Sequence, residues 1–171
     1  MKQIRLYSFL LMFAFGITAI TSCTSEPKKP AKETVINTDV PETVPKQDTM
    51  KVAISGNDQM QYDISEIDVL EGQTVVLTLT HTGKMPVDAM GHNFVLLAKG
   101  TTVSVFAEEA LKAKATDYIP EDQSNVIAHT KLVGGGESTT ITFQAPEKGT
   151  YDFICSFPGH YSMMKGKFNV E

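Results

Sequence analysis

Between Cys155 and Met164 the chain reads Cys-Ser-Phe-Pro-Gly-His-Tyr-Ser-Met-Met, which places a thiol, an imidazole and a thioether at the spacing Cys155-x4-His160-x3-Met164. The Pro158-Gly159 pair interrupts any regular element, so these donors sit on a loop. Soft sulfur beside imidazole suits copper, and two His and one Cys in a plane with a weak axial Met is the electron-transfer arrangement of that metal. The segment supplies one His, so a second has to come from elsewhere. A Cys155–His160 pair could also be a nucleophile and its base, but no charged residue close by in sequence would orient the imidazole. Read singly, Cys155 is a small buried hydrophobe.

The other histidines are His81, His92 and His129. His92 lies between Gly91 and Asn93, just ahead of the apolar run Phe94-Val95-Leu96-Leu97, at the entry of a strand. Such a His is more often a surface or core residue than a ligand, so its type alone decides nothing.

Gly91-His92-Asn93 followed by Cys155-x4-His160-x3-Met164 resembles the azurins, bacterial blue copper proteins of the cupredoxin family. The segments HTGKMPVDAMGHNFVL, VIAHTKLVGGGE and CSFPGHYSMMKG carry the likeness in order along residues 50–171. Plastocyanins, which are related, have a different spacing in the ligand loop. The resemblance implies an all-β, cupredoxin-like Greek-key β-sandwich with one short helix inserted and one type 1 copper. It puts His92, Cys155 and His160 in the metal's plane, with Met164 and the Gly91 carbonyl weakly bound on the axis. Asn93 would hydrogen-bond across to the ligand loop, where Ser156 and Phe157 flank the metal. His81 and His129 match family histidines that are not copper ligands, and are expected in structural or surface roles.

The implied chemistry is Cu(II)/Cu(I) cycling, with single electrons passed between redox proteins in transient contact. No small-molecule substrate is expected, and no bond is made or broken, so the chain is not expected to be an enzyme. Phe94, Phe157, Met90 and Met163 are expected to exclude water. The edge of His160 would emerge through an apolar patch of Met85, Met90, Phe157, Pro158 and Met163, with at least one Met packed inward. The chain departs from the family twice. Gly72 stands where the family has half of a disulfide, a bridge whose loss typically removes about 2–4 kcal/mol. Phe94 replaces a Trp.

The elements that must position these groups read as strands. Val52-Ala53-Ile54 is a short strand closed by Gly56-Asn57-Asp58, and Ile64, Ile67, Val69 and Leu70 suggest another before Glu71-Gly72. Thr74 to Thr80 and Ser138 to Gln144 alternate apolar with Thr, the pattern of half-buried strands. Tyr151, Phe153 and Cys155 share one face of the next, and Lys167 to Val170 closes the chain. Many short strands between turns indicate a sandwich or barrel. Thr102 to Ala115 differs: Val103, Phe106, Ala107, Ala110 and Leu111 recur at helical spacing, opposite Glu108, Glu109 and Lys112.

Ahead of this domain, residues 1–22 carry Lys2 and Arg5 and then an apolar run from Leu6 to Ile20, too short for a comfortable span and suited to export. Ala19-Ile20-Thr21-Ser22-Cys23 resembles the lipobox of bacterial lipoproteins, which implies lipidation at Cys23 and a membrane anchor, on the periplasmic side or at the outer membrane. Residues 23–49 hold Pro27, Pro30, Pro41 and Pro45 with no aromatic residue, and read as a disordered tether. Without the first 22 residues the chain has 13 basic against 20 acidic residues, which argues against nucleic acid and polybasic membrane binding. Two other functions fit an exported domain: copper storage or delivery without electron transfer, and a structural adhesin with no copper.

Overall fold

The computed structural model describes residues 49–171. The expected signal segment, Cys23 and nearly all of the tether lie outside the described residues. Among the described residues, eight strands form two sheets: β1 (Thr49–Gly56), β3 (Thr74–His81) and β6 (Ser138–Gln144) make the smaller. The larger has the order β2 (Glu66–Val69), β8 (Lys165–Val170), β7 (Gly149–Ile154), β4 (Val95–Leu97), β5 (Val126–His129). Pairing is parallel for β1 with β3 and β2 with β8, and antiparallel elsewhere.

Alternation in sequence becomes alternation in space. Along β3, Val75, Leu77 and Leu79 point inward, and His81 continues the same inward face at the strand's end. The outward threonines pair across strands, Thr78 with Thr140 at 2.8 Å and Thr80 with Ser138 at 2.9 Å. Inward side chains of both sheets, among them Ile54, Leu77, Leu96, Phe153 and Phe168, share one core. Each such side chain contributes roughly 1.5–3 kcal/mol by leaving water.

Strand β4 has no polar face because it is covered twice. Leu96 packs into the inter-sheet core, while Val95 and Leu97 pack outward against Phe106, Ala110 and Ile119. The cover is α2 (Val103–Ala110) and a 3₁₀ turn at Lys114–Thr116. The helix is shorter than its apolar spacing suggests, and Leu111, expected on the packed face, is 52% exposed. The chain leaves the helix after Ala110, makes the 3₁₀ turn, and a left-handed Asp117–Tyr118 pair, at φ 58° and 59°, then ends that turn. A further single-turn helix, α1 (Val87–Met90), and strand β5 carry no clear periodic signal and were not expected from sequence. Among the described residues, no helix is long and apolar enough to cross a membrane.

Candidate metal centre

Three separate segments meet: the turn after β1, the Gly91-His92-Asn93 stretch before β4, and the loop between β7 and β8. The donor atoms of His92, Cys155 and His160 lie within 4.8 Å of one another, and all three residues are buried. His92 is fixed at its backbone, whose N–H and carbonyl pair with Val133 at 3.0 and 2.9 Å. Its ring Nε2 lies 2.9 Å from the Asn57 carbonyl, which can only accept. The ring proton therefore sits on Nε2, and Nδ1 presents a lone pair. That Nδ1 is buried and has no hydrogen-bond partner. A buried polar atom left unpaired costs about 1–3 kcal/mol, and a metal ion among the three donors would supply what it lacks.

On the ligand loop, Gly159 takes the left-handed conformation at φ 81° and starts the 3₁₀ turn His160–Ser162. The turn brings His160 Nδ1 to 3.6 Å from Cys155 Sγ. The loop then closes on itself: Met164 N–H donates to the His160 carbonyl at 2.8 Å, and Cys155 N–H to the Met164 carbonyl at 2.9 Å. Met164 is fully buried, and the Gly91 carbonyl oxygen lies 3.9 Å from Cys155 Sγ. A side chain at Gly91 has no room, because a Cβ there would meet the Val87 carbonyl at 2.6 Å.

Asn93 joins the two ligand segments. Its Oδ1 accepts from Ser156 N–H at 2.9 Å, and its Nδ2 donates to Ser156 Oγ and to the Asp117 carbonyl, each at 2.9 Å. His81 is structural, not a surface group. It is fully buried, its Nδ1 accepts from Gly83 N–H, its Nε2 bonds the Met90 carbonyl at 2.8 Å, and its ring stacks on His92 with centroids 4.2 Å apart. His129 is half-buried on β5, with Nδ1 3.2 Å from the Thr130 carbonyl.

The expected apolar patch divides in two. Met85, Pro158 and Met163 are exposed, Met163 at 53%, so Met163 cannot shield the metal. Phe157 is buried, packed edge-on against Tyr118 and 4.6 Å from the His160 ring, so it belongs to the interior. Met90 is half-buried, and Phe94 is fully buried as a shield should be. His160 itself is only 3% exposed. Sequence reasoning missed Gly56, Asn57 and Tyr62, which reach the centre from the β1 turn and whose types give no sign of it.

Burial sets the protonation of the metal-free site. It pushes the Cys155 thiol up to about 12, although the N–H groups of Asn93 and Phe157 bond toward the sulfur and work the other way. It pushes His160 down to about 4, helped by the charges of His92 and His81, and also lowers His92. An unfolded chain takes up protons on these imidazoles below about pH 6.5 and loses the thiol proton above about 8.5, whereas the folded chain resists both. Metal-free stability should therefore be flat between those limits, fall as pH drops from 6.5 toward 4, and fall as pH rises from 9 toward 12. Thermal unfolding of metal-free protein across pH 4–11 checks this. A midpoint still climbing below pH 6 would contradict neutral buried imidazoles.

Residues 48–171 match the copper binding proteins of the plastocyanin/azurin family. The chain is 43% identical to azurin of Alcaligenes faecalis over 124 residues, covering 70% of this chain and 96% of that azurin. It is 40% identical to outer membrane protein H.8 of Neisseria gonorrhoeae over 121 residues, covering 68% of this chain and 65% of that protein. Among solved structures, auracyanin A, a "blue" copper protein from Chloroflexus aurantiacus, superposes with a TM-score of 0.67 at 34% identity, over 72% of this chain and 99% of that one. With the fold, the converging donors and these likenesses in agreement, the chain belongs to the plastocyanin/azurin family of copper-binding proteins.

Proposed function

We propose that the protein carries single electrons between redox proteins on one type 1 copper, which His92, Cys155 and His160 would hold, with Met164 and the Gly91 carbonyl as weaker donors. The observation that carries this is the buried, unpartnered Nδ1 of His92, placed among a thiol and a second imidazole that are themselves buried. When bound, copper supplies the Cu(II)/Cu(I) couple. The chain's own residues hold the donors in place through the Asn93–Ser156 bonds and the His81–His92 stack. Small rearrangement between oxidation states is what fast transfer needs.

Exposed Met85, Pro158 and Met163 favour a partner surface, with half-buried Met90; Pro158 and Met163 flank the buried His160 in the ligand loop. Polarizable, adaptable Met side chains suit brief contacts with more than one partner. Redox encounters bury under about 1,200 Å² in total. We further propose that the protein is exported and anchored through a lipid on Cys23, the remaining residues before β1 acting as tether. The sequence of residues 1–23 supports this, as does the likeness to an outer membrane protein.

Loading with Cu(II) tests the function. An intense visible band that bleaches on reduction and returns on oxidation, over repeated cycles without metal loss, is the expected result. Copper that leaves for an acceptor chelator on reduction would favour storage or delivery. In the same assay, Met163→Lys should slow electron exchange with a redox protein several-fold and leave the spectrum alone. An unchanged rate would remove Met163 from the partner surface.

A further inference from the structure

Tyr62 reaches the centre without being one of its donors. It follows the β1 turn, pairs in a backbone bridge with Gly56, and packs against both the inter-sheet core and the cluster that holds Cys155 and Met164. Its ring meets Phe153 with centroids 5.8 Å apart. Its hydroxyl donates to the backbone carbonyl of Asn93. An apolar Phe would fill the same space, so the hydroxyl calls for its own explanation.

Asn93 is gripped at every polar atom, and the grips divide the work. Its side chain ties to Ser156 and the Asp117 carbonyl. Its own N–H bonds toward the Cys155 sulfur. Its carbonyl shares a peptide plane with Phe94 N–H, which donates to Thr130 Oγ1 at 2.9 Å. Tyr62 holds the other end of that plane. On the far side, His92 is locked by its bridge to Val133. The Asn93 N–H lies in the preceding plane, whose His92 carbonyl accepts from Val133 N–H at 2.9 Å; with Tyr62 and Thr130 holding the plane that follows, the residue between them cannot swing, and its N–H stays toward the sulfur.

We propose that Tyr62 is a positioning residue, whose hydroxyl holds the Asn93 carbonyl and so stops Asn93 from swinging about its Cα, which keeps the Asn93 N–H on the Cys155 sulfur. An N–H aimed at a metal-bound thiolate withdraws electron density from it, which disfavours Cu(II) and raises the reduction potential; hydrogen bonding around this sulfur is one of the quantities that tunes such sites. The effect rests on the copper reading, whereas the fixing of the peptide is a property of the chain without metal.

Tyr62→Phe, measured beside Tyr151→Phe, tests it. Tyr151 makes the same kind of bond, hydroxyl to the Glu147 carbonyl at 2.6 Å, away from the centre. Both variants lose one such bond, and comparable stability losses are expected. Tyr62→Phe alone should lower the potential and shift the visible band. In metal-free protein it should also speed amide exchange at Asn93 by about tenfold relative to wild type. A potential that does not move, a shift matched by Tyr151→Phe, or unchanged exchange at Asn93 would overturn the proposal. A wild-type protein that never turned blue would overturn the copper reading together with this one. A blue wild type indifferent to Tyr62→Phe would overturn this one alone.

Discussion

Cys155→Ser should remove the intense visible absorption of the Cu(II) protein altogether, while the metal-free chain stays folded. The substitution exchanges sulfur for oxygen at a fully buried position whose side chain contacts His160 Nδ1 and the Gly91 carbonyl. The volume change is small, so the packing around Phe157, Ile154 and Met164 is largely kept. The chemistry changes completely. A hydroxyl is a harder donor and stays protonated at neutral pH, so it neither matches copper's preference for soft thiolate nor provides the sulfur-to-copper charge transfer. Copper affinity should fall by several orders of magnitude, measured by titration against a chelator. A persisting band of thiolate character would move the metal to another sulfur, and the only other cysteine in the chain is Cys23.

The ligand loop could be read directly because its donors are local. Cys155, His160 and Met164 fall within ten residues, and the loop's geometry follows from a left-handed Gly159 and a short 3₁₀ turn. His92 was different. A His before an apolar run is ambiguous, and it took the likeness of Gly91-His92-Asn93 to a known family to assign it. The strands with clean alternation, β3 and β6, were found nearly to the residue, since each has one wet face. Strand β5 was missed because its four residues are all half-buried and it pairs with a bulge at Leu96/Leu97.

Position in the patch was less legible than type. Met163 and Phe157 are both apolar and both on the ligand loop, yet one faces solvent and the other packs on Tyr118. Which way each points depends on α2 and on the left-handed Asp117–Tyr118 pair, neither of which lies near them in sequence. The same holds for the wall behind His92. It is built from Gly56, Asn57 and His81, brought there by the pairing of β1 with β3 in a register that sets Gly56 opposite His81.

That wall gives the second large effect. Gly56→Ala should leave a folded protein that binds copper at least tenfold more weakly and with an altered visible spectrum. A Cβ at Gly56 would lie 2.6 Å from His92 Cδ2 and 3.1 Å from Met164 Cε. Carbon atoms prefer about 3.5–4.0 Å, so roughly 1 Å of movement is required. The imidazole has nowhere to go, because it is stacked on His81 at 4.2 Å and its Nε2 is tied to the Asn57 carbonyl. Either the ring tilts and carries Nδ1 off the metal's position, or the β1 turn shifts and takes Asn57 with it. Overpacking of this kind typically costs about 1–3 kcal/mol, and here it falls on two of the proposed ligands together. Gly72→Ala is the matched control: Gly72 has φ 68° with open space around it, so alanine there strains the backbone by about 1 kcal/mol and touches no ligand. Copper titration and metal-free thermal unfolding of both variants separate the two effects. If Gly56→Ala kept wild-type affinity and colour, His92 could not be the imidazole that the copper depends on.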